Sequence, residues 1–148
     1  MSTDDTRTMK DIMSTYHAIY TELHRLTEGF TLETARWETG STAFMPLCVE
    51  HLGGSRYSVT HYYEQNGDLC SDPDMTFRLA GEAFPPSHGL AEALTYQDSF
   101  GYKEVYPEPG KVYPRLKKEL NAFAVQWFQN IRAQGYKIVK RNGEQVAA

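Results

Sequence analysis

Cysteine is scarce in this chain of 148 residues, with Cys48 and Cys70 as its only two. They have neither the spacing of a metal-binding pair nor the number needed for a disulfide framework, so both are read as reduced thiols of a cytoplasmic protein. No stretch is long and apolar enough for a transmembrane helix. The start, MSTDDTRTMKD, is polar and acidic rather than basic and then apolar, so no secretory leader is expected. Positive charge is in deficit: 15 Lys and Arg against 19 Asp and Glu give a formal net charge of -4, which disfavours nucleic acid as a partner. The local basic cluster of Lys137, Lys140 and Arg141 reads as a solvated tail. Two catalytic signatures are also missing. Gly53-Gly54 is not followed by the Gly-Lys-Ser or Gly-Lys-Thr of a phosphate loop, and no serine lies in Gly-x-Ser-x-Gly.

What is present is a hairpin that nearly specifies itself. Asn66-Gly67 provides the two positive-φ positions of a type I′ turn between runs rich in β-branched and aromatic residues. A two-residue loop there pairs Gln65 with Asp68 and, counting outward, sets Tyr63 against Cys70 and His61 against Asp72. Alternation places Tyr57, Val59, His61 and Tyr63 on one mainly apolar face and Ser58, Thr60, Tyr62 and Glu64 on the other. On the return strand, unbroken alternation would send Met75, Phe77 and Leu79 to the polar face. Pro73 has no amide hydrogen to give a ladder, so a one-residue bulge is predicted near Asp72-Pro73-Asp74 to restore the phase.

Apolar residues recur at three-to-four spacing from Thr8 to Glu28 before Gly29, and again from Pro114 to Gln134 before Gly135, which predicts an amphipathic helix near each end. Between them, Phe30 to Trp37, Pro46 to His51, Tyr57 to Gln65, Met75 to Leu79, Leu94 to Gln97 and Tyr102 to Tyr106 read as strands. The predicted loops are Phe84 to Gly89 and Tyr106 to Gly110. One domain spanning residues 1–148, with an ordered core from about 8 to 139, is therefore expected to be α+β. Its mainly antiparallel sheet of five to six strands packs against N-terminal and C-terminal helices.

The segments PLCVEHL, SVTHYYEQNGDLCSDPDMTFRL and LTYQDSFGYKEVY, across about residues 46 to 106, resemble a family of uncharacterised bacterial proteins encoded on plasmids, phages and integrative elements. The resemblance implies an accessory role in a mobile element. It brings no catalytic residues with it.

Two functional readings follow. Glu50, His61, Asp68, Asp72 and Asp74 carry the donor types that suit a divalent cation, so a small metal-dependent hydrolase is one alternative, with His61 and Asp72 as an acid-base pair. Against it, His51 and His61 are expected roughly 13 Å apart along the sheet, and Asp68, Asp72 and Glu64 occupy turn, pre-proline and solvent-face positions that need no metal. The favoured reading is a non-enzymatic protein without cofactor that binds another protein, such as a host-defence component; a second copy of the chain is an alternative partner. Ten tyrosines are more than one small core requires, and Tyr62, Glu64, Tyr96, Asp98, Tyr102 and Tyr106 are the predicted contact surface.

Overall fold

The computed structural model describes residues 3–80 and 88–146. Helix α1 (Thr3–Leu26) starts five residues earlier than its apolar periodicity indicates and stops at Gly29, whose φ of 79° lets its amide reach back to the His24 carbonyl at 2.7 Å. Strands β1 (Thr34–Glu38), β2 (Leu47–Gly53), β3 (Arg56–Gln65), β4 (Asp68–Ala80), β5 (Leu90–Asp98) and β6 (Gly101–Glu104) follow. Helix α2 (Pro114–Ala133) begins on the expected proline, and β7 (Lys137–Arg141) and β8 (Glu144–Gln145) complete the described chain.

All eight strands form one antiparallel sheet in the order β6-β5-β4-β3-β2-β1-β7-β8. The α+β class stands, and the strand count rises from the expected five or six to eight. The extra pair comes from the segment read as a solvated tail. Asn142-Gly143, with φ values of 50° and 78°, turns β7 into β8, just as Asn66-Gly67, at 54° and 84°, turns β3 into β4. β7 then joins β1 in the sheet, and Arg141 locks onto Glu28 with two bonds of 2.6 and 2.7 Å.

The predicted phase slip in β4 is present. Thr60 pairs with Asp74 and Tyr62 with Ser71, so two steps along β3 match three along β4. The extra residue returns Met75, Phe77 and Leu79 to the face that holds Tyr57 and Val59, and all five are buried. Neighbouring strands add Ala35, Trp37, Leu47, Val49, Ala91 and Ala93 to the same face. Both helices lie over it, contributing Ile19, Tyr20, Leu23 and Leu26 from α1 and Leu120, Ala124, Trp127, Phe128 and Ile131 from α2. The helices run in the same direction, because Lys117 of α2 meets Tyr16 of α1 and, further along both, Arg132 meets Glu22.

Two polar contacts fix the helices in register with the sheet. Asn121 of α2 accepts the Ala93 amide at 2.8 Å, beside the irregularity where β5 slips against β4. His17 of α1 contacts the Gly89 carbonyl at 2.8 Å, and the Tyr20 ring lies directly against Gly89. A Cβ at position 89 would stand 2.2 Å from Tyr20 Cζ, inside the ring. Of the loop predicted at Phe84 to Gly89, residues 84–87 lie outside the described ones.

Gly89→Ala should therefore lower unfolding free energy by roughly 1–3 kcal/mol in denaturant titration, as overpacking does. Combining it with Tyr20→Ala should cost clearly less than the two single losses added together, since the smaller side chain removes the collision.

Candidate functional site

His61 faces the helices from the middle of the sheet, where α2 and the start of β2 close over it. Its Nδ1 accepts the Trp127 indole N–H at 3.3 Å, and its Nε2 lies 3.2 Å from the Tyr136 hydroxyl. Tyr136 donates its own hydrogen to the Met45 carbonyl at 2.5 Å, so it accepts from Nε2–H and the imidazole is the neutral Nε2 tautomer. Burial pushes the His61 pKa down from 6.5 to about 4, and a proton on Nδ1 would also oppose the indole donor. Both ring nitrogens are thus held in a chain that ties β3, α2, the segment after α2 and the entry to β2 together.

The expected His61 and Asp72 pair is not formed; the imidazole takes partners from Trp127 and Tyr136, and Asp72 is exposed. The other proposed ligands are dispersed. Asp74 and Glu50 point to the opposite face of the sheet, where Asp74 accepts the Thr60 hydroxyl at 3.0 Å, and Asp68 stands exposed at the Asn66-Gly67 turn. Among the described residues no three His, Cys, Asp or Glu side chains gather in a way that could hold a metal ion.

The predicted tyrosine surface is divided in the same manner. Tyr62 and Tyr102 lie on the open face, half-buried and exposed respectively. Tyr96 points inward and packs edge-on against Phe123 at 5.4 Å, with burial and Asp98 pushing its pKa up to about 12. Tyr106 gives its hydroxyl to Glu92 at 2.9 Å, in a cluster where Glu92 also binds Arg78 and Lys117. The side chain of Glu64 lies outside the described residues.

Asp98 has a different task from the one expected. Its Oδ1 accepts the amides of Phe100 at 2.8 Å and Gly101 at 3.2 Å, fixing the turn between β5 and β6, and the Phe100 bond is the main reason its pKa is lowered. That turn presents Phe100 with 96% of its surface in solvent. The neighbouring strand holds Tyr102 at 56% exposure. Beside the hairpin the open face dips into a cavity of about 300 Å³ lined by Leu52, Arg56, Asp74, Thr76, Thr95, Gln97 and Tyr102. Sequence reasoning overlooked Phe100 and Leu52. For Phe100 the available signal was a large apolar side chain placed in a turn rather than in a strand.

A second concavity of about 780 Å³ lies between the starts of the helices, lined by Ile12, Tyr16, Val112 and Pro114 with Asp11, Lys117 and Lys118 at its margin. Among the described residues no helix is long and apolar enough to cross a membrane.

Residues 14–137 match a family described as a domain of unknown function, DUF6908. No curated protein and no solved structure matches the chain.

The state of His61 sets a pH dependence. Because its folded pKa lies below its unfolded value, the unfolded chain takes up a proton that the folded ring refuses, and stability present above pH 6.5 is lost as the pH falls toward 4. The loss should be on the order of 3 kcal/mol in denaturant titrations at pH 7.5 and 4.5. His61→Gln keeps one acceptor and one donor without a titrating ring, so its stability should change much less across that interval.

Proposed function

This chain belongs to the DUF6908 family, and from that premise we propose that it is a non-enzymatic binding protein that docks a protein partner on the open face of its sheet. The observation that carries this reading is the presentation of Phe100 on an anchored turn. A phenylalanine almost wholly in solvent contributes nothing to its own fold, yet two backbone bonds to Asp98 hold its turn in place. Aromatic side chains on ordered turns lose little conformational freedom on binding and supply much of the energy of protein interfaces. Tyr102, two residues beyond Phe100, and Leu52 are both about half exposed or more and line the cavity of the open face.

The hydrolase alternative loses support from the site itself. A general base must offer a free nitrogen to its substrate, whereas both nitrogens of His61 are held by Trp127 and Tyr136. The resemblance to proteins of plasmids, phages and integrative elements makes a host or mobile-element protein the expected partner, and a block on a host defence component the expected consequence.

Capture from a bacterial lysate on the immobilised chain tests this. A discrete protein should be retained and its yield should fall at least tenfold with the Phe100→Ala, Tyr102→Ala double variant, a loss of the size that aromatic anchors produce. Thermal melting of the variant should stay close to that of the parent, since Phe100 is in solvent and Tyr102 is more than half exposed on an edge strand. Equal capture by parent and double variant would refute the docking face.

A further inference from the structure

Seven arginine side chains are described, and six of them hold a carboxylate. Arg25 and Arg132 share Glu22, Arg36 binds Glu38, Arg78 binds Glu92, Arg115 binds Glu119 and Arg141 binds Glu28. Arg56 alone has no acidic partner among the described residues. Its position makes this costly, because the β3 to β4 register sets Arg56 directly across from Arg78. Like charges at opposed sheet positions repel. Glu92 relieves the Arg78 side of that pair only.

Arg56 also lines the cavity on the open face. The cavity includes Thr76 and Thr95, whose hydroxyls lie 2.6 Å apart. One hydroxyl hydrogen serves that bond, and Thr95 is also hydrogen-bonded to the Tyr102 hydroxyl, so the threonine pair and Tyr102 form a fixed polar wall rather than a free donor. Leu52 and Tyr102 offer apolar surface at the margin, and Asp74 is the one acidic group in the lining. A guanidinium without an ion-pair partner, opening on a cavity whose hydroxyls are already engaged, is suited to a carboxylate that arrives from outside.

We propose that this cavity receives an acidic side chain of the docked protein, an aspartate or glutamate carboxylate paired with Arg56 and flanked by Leu52 and Tyr102. The proposal rests on the open face being the docking surface. It adds the chemistry of the partner: a segment in which an acidic residue accompanies an apolar one.

The test uses a defined probe, the peptide acetyl-Glu-Glu-Phe-Glu-Glu-amide, titrated into the full-length chain and followed by the amide signals of Thr76, Thr95 and Gln97 and the side-chain Nε–H signal of Arg56. Saturable shifts at these positions are expected. Arg56→Gln should raise the dissociation constant about two- to fivefold, the range of a well-formed exposed ion pair. Arg115→Gln, which removes an equal charge elsewhere, should leave it unchanged. The matching peptide with glutamine for each glutamate should bind far more weakly. Absence of saturable shifts at these positions, equal affinity for the glutamine peptide, or an Arg56→Gln effect no larger than that of Arg115→Gln would overturn the proposal. Peptide binding that depends on Arg56, together with lysate capture that ignores Phe100 and Tyr102, would leave the carboxylate site standing and remove the protein-docking reading. Capture that depends on Phe100 but not on Arg56, with no peptide shifts, would do the reverse.

Discussion

One inserted residue in β4, between Ser71 and Asp74, gives this sheet its two-sidedness. Side chains alternate with a period of two, so a single insertion exchanges the faces for every residue that follows. Without it Met75, Phe77 and Leu79 would face solvent and Asp74, Thr76 and Arg78 would lie under the helices. The same slip therefore completes the core and supplies the polar floor of the open face. Core and candidate site are two sides of one register choice.

Closing the helical side requires polar groups to be satisfied in place. His61 sits on the buried face among aromatic rings, and its neutral tautomer allows each donor in the chain from Trp127 to Met45 to meet an acceptor. Asn121 does comparable work at β5, where its side chain accepts the Ala93 amide and donates to the Lys117 carbonyl. Glu22 joins Arg25 of its own helix to Arg132 of α2, so a nearly buried carboxylate has cations on both oxygens. No side-chain nitrogen or oxygen buried among the described residues is left without a partner. Such groups attach the helices at defined positions, which apolar contacts alone would specify less sharply.

The sequence made both helices and the central hairpin legible because their signals are local: three-to-four periodicity, a proline at a helix start and Asn-Gly at a turn. The β4 bulge was also legible, since only one phase buries three large apolar residues. The β7 to β8 hairpin was missed although Asn142-Gly143 repeats the turn signal of Asn66-Gly67. Its strands contain few apolar residues, and composition suggested a solvated end. Tyr96 was misplaced for a different reason. β5 slips by one residue against β4 between Ala93 and Thr95, with buried Leu94 as the extra residue, so Thr95 turns outward and Tyr96 inward. Nothing in LAEALTYQD announces that slip, because Ala, Leu and Thr are acceptable on either face.

The acidic cluster that first suggested a metal centre is dispersed by the same device that makes the core. Asp68 belongs to the turn, Asp72 to the bulge and Asp74 to the open face, while His61 remains on the helical side. Four residues that are close in sequence consequently meet four environments. A bulge between a histidine and the nearest carboxylates separates them, because the residues beyond it reverse their facing relative to those before it. Proximity in sequence thus has little bearing on shared chemistry once a strand carries an insertion. The open face then holds charges whose pairing is decided across strands: Arg78 finds Glu92 on β5, and Arg56, facing β2 with exposed Leu52 and Gly53 at its end, finds no acid among the described residues.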